Sequence, residues 1–349
     1  MDVGSLGPAA PPPAAFLLPA GDLLVDSSRY AGPVLALTRR LRAAVAATPA
    51  PTLLLGVGSQ VDGQDGLMAE GGVRDAGAIA ATASVALHSD QAALLRAVAA
   101  SGGAVSVRGA FTAAVAAASG LPPPLALGCP SLFLNHAPAL GAELQRKWDA
   151  LLAARNASLR VAVTLPVAPS EGEVGAFPIA RQLSLLVNRV LRPLRGSVVV
   201  LQTPGDTALL QYMNDELGFY LPPTRVRWYY DVDAWVAGLR SCCDTVFGFR
   251  AHGALAGVAA GLPSVALSQD RRVRELADAM ALPTVDWAAP GPLHARSASL
   301  FDILEDIGFD GGAFDARRRA LAREYQRVFG GVGVPIHPGL AALADGADE

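Results

Sequence analysis

Charge is scarce in this chain: Asp, Glu, Lys and Arg make up 17% of its 349 residues, and the formal net charge is only -3. Proteins that hold nucleic acid or an anionic membrane surface carry a basic excess or basic runs, so both partner classes are excluded. Any anion bound here must be held by individual arginines and backbone amides. Cysteine is equally sparse. Cys129, Cys242 and Cys243 provide neither a disulfide framework nor a Cys-x-x-Cys metal spacing. No grouping of His, Asp and Glu suggests a metal. Cys129, with no evident base beside it, reads as a small packed residue and not a nucleophile. No stretch of about 18 apolar residues runs free of Pro, Gly and charge, so no membrane span is expected. The N-terminus lacks the positive segment and long apolar core of a signal peptide, which leaves a cytoplasmic location as the default.

Apolar residues, by contrast, are plentiful at 52%. At this length that composition predicts two domains, each with its own core. Residues 1–14 are rich in Pro and Ala and are expected to be disordered. Beyond the short apolar run "AAFLLPAG", strand-length apolar runs ("TLLLGVGSQ", "AVSVRG", "LALGCPS") alternate with helical patterns near 31–47 and 89–100 and in "AFTAAVAAASG". Strands without internal polar residues are those buried on both faces of a parallel sheet. A second series follows a helix at about 143–154: "LRVAVTLPV", "SVVVLQTP", "RVRWYYD", "TVFGFR", "PSVALSQ" and "PTVDW". The predicted fold is therefore α/β, two Rossmann-like doubly wound domains facing a cleft, at 15–142 and 143–340. A charged amphipathic helix at about 313–328 is expected to pack back on the first domain, and 341–349 is expected to be a frayed acidic tail.

In open α/β sheets ligands bind just beyond the strand C-termini, so the residues there are the candidates. "GVGSQ" (Gly56 to Gln60) starts like a dinucleotide fingerprint, but Val61 stands where the third glycine belongs. It reads as a tight turn that lets a ligand approach the backbone, with Ser59 and Gln60 as polar contacts. Arg108 leaves a strand where Gly109 opens a helix, a position suited to anions because free amides and the helix dipole act together. In "DTVFGFRAHGALAGVAAGLPSVALSQD", Arg250 is the one cation and His252 follows two residues later. A guanidinium beside Phe247 and Phe249 needs a partner. No carboxylate lies close in sequence, so either the fold brings one in or a bound anion supplies it.

These segments resemble the polysaccharide pyruvyl transferase family. The resemblance runs from about 15 to 287 and is carried by "PTLLLGVGSQ", "VSVRGAFTAAVAAASG", "LGCPSLF" and "GFRAHGALAGVAAGLPSVALSQDRRVRELADAMALP". It implies a glycosyltransferase-B-like architecture and transfer of the enolpyruvyl group of phosphoenolpyruvate to two sugar hydroxyls, releasing phosphate. It further implies that Arg108 and Arg250 clamp phosphoenolpyruvate and that His252 is the acid. No cofactor is required, and the partners are phosphoenolpyruvate and a glycan. The chain departs from the family in lacking an Asn-x-Gly-Asp loop before "AAFLLPAGD" and in placing Ala251 within Arg-x-His.

For the acceptor, Ser268, Gln269 and Asp270 follow the next strand; Asp270 reads first as the cap of the helix "RRVRELADAM" and second as a base for a sugar hydroxyl. Asn135 and His136 stand at the expected cleft mouth. Two alternatives accompany this reading: a nucleotide-sugar-dependent glycosyltransferase, and a non-catalytic sugar- or anion-binding relative. Against the first stands the run "GALAGVAAG", which has no acid for ribose hydroxyls.

Overall fold

The computed structural model describes residues 15–19, 22–25, 31–60, 87–122, 124–166, 177–268, 271–287 and 299–346. Gln269 and Asp270 lie outside these residues, as does the side chain of Gln60.

The first sheet contains β1 (Phe16–Pro19), β2 (Asp22–Val25), β3 (Thr52–Gln60), β4 (Ala104–Val107) and β5 (Leu125–Ala126). Its order is β1-β3-β4-β5, with β2 also on β3, and every pairing is parallel. Helices α1 (Ala31–Ala47), α2 (Ser89–Ala100) and α3 (Ala110–Ala118) connect the strands. Leu54 and Val57 of β3 pack with Val45, Leu94, Val98 and Val107 in this domain's own core, whereas Leu53 and Leu55 join a different cluster. The alternation of side chains along β3 thus divides it between two cores. Within the short apolar run, Phe16–Pro19 pairs in register with Thr52–Leu55.

The second sheet is built from β6 (Val161–Thr164), β7 (Val198–Leu201), β8 (Val226–Trp228), β9 (Thr245–Gly248), β10 (Ser264–Ser268) and β11 (Thr284–Asp286). All six pair in parallel, in the order β11-β10-β9-β6-β7-β8. Counted within the domain this is the doubly wound Rossmann order, whose direction reverses between β6 and β9. Both faces are covered. Val161, Val163, Val199 and Leu201 face one cluster, and Ala162, Val198, Val200 and Val246 face another.

Among the connecting helices are α4 (Leu140–Ala154), α5 (Phe177–Leu186), α6 (Asp206–Asp215), α7 (Val232–Cys242), α8 (Ala251–Ala259) and α9 (Arg271–Met280). Helix α8, the run of Ala and Gly, is buried along almost its whole length. A Cβ at Gly253 would stand 2.5 Å from Thr164, and one at Gly257 would stand 2.2 Å from Ser264 Oγ. Only glycine fits at these two positions, where the helix comes closest to the sheet.

After α10 (Leu300–Ile307) comes α11 (Gly311–Gly331), which lies against α4 and reaches first-domain residues. Tyr325 meets Phe133 edge to face, and the buried guanidinium of Arg318 donates to the carbonyls of Asn135 and Ala137. Within the expected tail, Pro338–Asp345 form α12, whose Leu343 and Ala344 are buried, while 347–349 lie outside the described residues. Among the described residues, no helix is long and apolar enough to cross a membrane.

Candidate functional site

The sequence order of β6 to β9 fixes where a ligand can enter. Strands β6 and β9 are neighbours whose following connections diverge, so a crevice opens beyond their C-terminal ends. Arg250 and His252 stand there, one as the N-cap of α8 and the other in its first turn. Arg250 does not cap the amides of this helix start, and no side chain among the described residues does.

Arg250 is not waiting for an anion. Its guanidinium forks onto Asp206, with Nη1 donating to Oδ2 at 3.2 Å and Nη2 donating to Oδ1. The pair is buried, at 12% side-chain exposure for Arg250 and 1% for Asp206. Asp206 also accepts from the amides of Gln202 and Thr203 and from the Thr203 hydroxyl. A carboxylate so fully satisfied is a structural counter-charge, and it leaves the arginine fork with little to give a second anion.

The first-domain site follows the same logic. Helix α3 begins at Gly109 with no side-chain cap of its own. Glu275, on α9 of the second domain, supplies one: its carboxylate accepts from the Thr112 amide at 3.0 Å and the Thr112 hydroxyl at 2.6 Å. The helix start after Arg108, expected to cradle an anion, is therefore occupied by a carboxylate of the chain itself. Arg108 is half-buried at the end of β4, its amide bonded to the Val57 carbonyl.

Across the domain junction the structure makes one contact that the sequence concealed. Cys129 follows β5, and its Sγ lies 3.8 Å from Nε2 of His252 and 2.8 Å from Oγ of Ser131. Burial pushes the Cys129 thiol up, but hydrogen bonds to His252 and Ser131 outweigh it and hold the thiol below its ordinary value. The expectation of an inert packed cysteine without a base is corrected: its base partner comes from the other domain.

Beside Arg250 and His252 lies a cleft of about 340 Å³, lined by Gln202 and Thr203 after β7, Tyr229 after β8, and Trp235 on α7. Its volume is that of a small-ligand pocket. Three buried polar atoms on its walls have no partner among the described residues: Gln202 Oε1, Trp235 Nε1 and Arg250 Nε. The aromatic segment "RWYYDVDAW" and the polar residues of "LQTPGD" supply half of this lining. The strand-end rule, applied to β7 as it was to β9 and β4, would have found the latter.

The acceptor candidates fare differently. Ser59 is buried, its amide and hydroxyl bonded to Thr112 Oγ1. Ser268 is also buried, at the end of β10. Neither faces an open cleft. Asn135 donates to the Ala259 carbonyl, and His136 stacks on His337 at 4.4 Å. Among the described residues, no group of three or more His, Cys, Asp and Glu is placed to hold a metal.

No family model matches the chain, and no curated protein matches it. Solved structures similar to it include a candidate UDP-N-acetylglucosamine 2-epimerase from Listeria monocytogenes, at 13% identity and a TM-score of 0.41, covering 84% of this chain and 79% of that one. Another is the S. aureus MnaA–UDP complex, at 10% identity and a TM-score of 0.39, covering 86% and 81%. Likeness at this level does not carry chemistry across. The expected transfer of pyruvate from phosphoenolpyruvate is nevertheless overturned. Asp206 holds the fork of one clamp arginine and Glu275 fills the helix start beside the other.

Proposed function

We propose that this chain is a nucleotide-sugar-dependent enzyme that transfers a glycosyl group, with the nucleotide held in the second domain. The observation that carries this reading is the placement of the Tyr229–Trp235 cleft at the reversal point of a Rossmann-ordered sheet. A compact polyanion such as phosphoenolpyruvate needs free cationic forks. A nucleotide-sugar needs instead an aromatic wall for the base, neutral polar groups for hydroxyls, and backbone amides for the diphosphate. Tyr229 and Trp235 supply the first, Gln202 and Thr203 the second, and the uncapped start of α8 the third. No acid on α8 is then required for the ribose.

The reacting end of such a donor points past α8 toward the junction with the first domain, where His252 and Cys129 meet. His252 is exposed there and accepts the acceptor hydroxyl's proton as the new glycosidic bond forms. The bond to the diphosphate breaks, and the charge it leaves is stabilised by the α8 amides.

Titration calorimetry with uridine, guanosine and adenosine diphosphates, the corresponding nucleotide-sugars and phosphoenolpyruvate tests this reading. One nucleotide series is expected to bind, phosphoenolpyruvate is not, and Trp235→Leu is expected to weaken nucleotide binding by at least about tenfold. Absence of binding by every nucleotide, or affinity unchanged in Trp235→Leu, sinks the proposal.

A further inference from the structure

Helix α7 ends in two adjacent cysteines that the proposed activity does not use. Cys242 closes the helix, while Cys243 is its C-cap and already extended, at φ -134 and ψ 158. That change of backbone brings the sulfurs to the same side, Sγ to Sγ 3.0 Å apart. Cys242 is half-buried and Cys243 is 3% exposed. They lie beneath Tyr229 and beside two cations, Arg227 on β8 and Arg160 at the start of β6, the latter paired with Asp244. The third cysteine, Cys129, is engaged elsewhere with Ser131 and His252.

We propose that Cys242 and Cys243 form a vicinal dithiol at which a hydroperoxide closes a disulfide between neighbouring residues. The two sulfurs have unequal roles. Hydrogen bonding from Cys243 lowers the Cys242 thiol most; burial opposes, and the charges of Arg227 and Arg160 assist, bringing it to about 6. The same contact raises Cys243, which keeps its proton. Cys242, the more exposed of the two and the one beside Arg227, is the attacking thiolate, and the buried Cys243 is the resolving thiol.

In the first step the Cys242 thiolate attacks the terminal oxygen of the hydroperoxide and the O–O bond breaks. This leaves a sulfenic acid and, after protonation, an alcohol or water. In the second step the Cys243 sulfur attacks the Cys242 sulfur, and the sulfenic hydroxyl leaves as water with the proton of Cys243. Two thiols and one hydroperoxide become one disulfide, one alcohol and one water. Adjacent Cα atoms stand about 3.8 Å apart, below the roughly 4.4–6.8 Å usual for a bridge. The ring is therefore strained and readily reduced, the mark of a reversible modification and not a structural tie.

Trypsin places both residues in one peptide, Ser241–Arg250, and Cys129 in another. The intact native protein is treated with hydrogen peroxide, remaining thiols are capped with N-ethylmaleimide, and the digest is read by mass spectrometry. The expected product is peptide 241–250 uncapped and lighter by two hydrogens, restored to two capped cysteines by prior treatment with dithiothreitol. Peroxide is expected to carry Cys243→Ser instead to sulfinic or sulfonic acid at Cys242. Cys242→Ser, altered at the less buried position, is expected to resist peroxide at Cys243. Peptide 241–250 still doubly capped after peroxide, or bridged to the Cys129 peptide, overturns the proposal. So does sulfonic acid in the wild-type protein at the rate seen in Cys243→Ser.

Discussion

A guanidinium next to two phenylalanines poses a question of charge balance, and Asp206 is the answer. Its carboxylate neutralises Arg250 and ties together the backbone of Gln202 and Thr203. Removing one partner of a buried pair strands the other, so Asp206→Ala is expected to cost about 3–5 kcal/mol of stability, read as a lowered urea midpoint. Cys129 offers a second measurement. Its thiol is held below its ordinary value, so the thiolate is favoured in the folded protein. The stabilisation this provides is fully present above the unfolded thiol's pKa and is lost as pH falls through the folded one. The pH midpoint of Cys129 alkylation is therefore expected below that of a free cysteine, and His252→Ala is expected to move it upward. Sequence reasoning reached Arg250 and His252 because residues after strands are constrained by topology. It could not reach Asp206, 44 positions away, or the pairing of Cys129 with His252, 123 positions away, because such contacts are set by the folded geometry and not by spacing.

At the level of elements, the strands were the most legible feature. Apolar runs such as "VAVTL" and "SVVVL" have no other stable place than a sheet covered on both sides. The strand at Phe16–Pro19 and the helix at Pro338–Asp345 were not legible. The first is four residues long, and the second owes its burial to α11 more than to its own pattern. The crossing of α4 and α11 shows how little room such packing leaves. A Cβ on Gly311 would stand 2.2 Å from the Gly141 carbonyl oxygen, and one on Gly141 would stand 2.1 Å from that of Gly311. Backbone on both sides cannot yield as a flexible side chain would. Gly311→Ala is accordingly expected to destabilise by about 1–3 kcal/mol, visible as a lower melting temperature.

For the molecule as a whole, the two sheets are joined by a shared core and by a few buried polar contacts. Leu53, Leu55 and Leu127 of the first domain pack with Ala254, Leu255 and Leu276 of the second. Glu275 then bonds Thr112 across the boundary. In Glu275→Ala the Thr112 amide and hydroxyl lose that acceptor, and the expected loss is about 1–3 kcal/mol. Faster hydrogen exchange confined to the first turn of α3 distinguishes loss of this contact from general destabilisation. The two-domain plan was readable from the repeated strand–helix pattern, whereas the boundary contacts, made by single residues far apart in sequence, were not.

The Glu275 contact also bears on how a substrate can arrive. A helix in one lobe is completed by the other, so swinging the lobes apart would uncover a charged group and bare amides together. That makes a wide hinge an expensive route. Traffic into the Tyr229–Trp235 cleft is better served by small shifts at its rim, with the two lobes travelling as one piece.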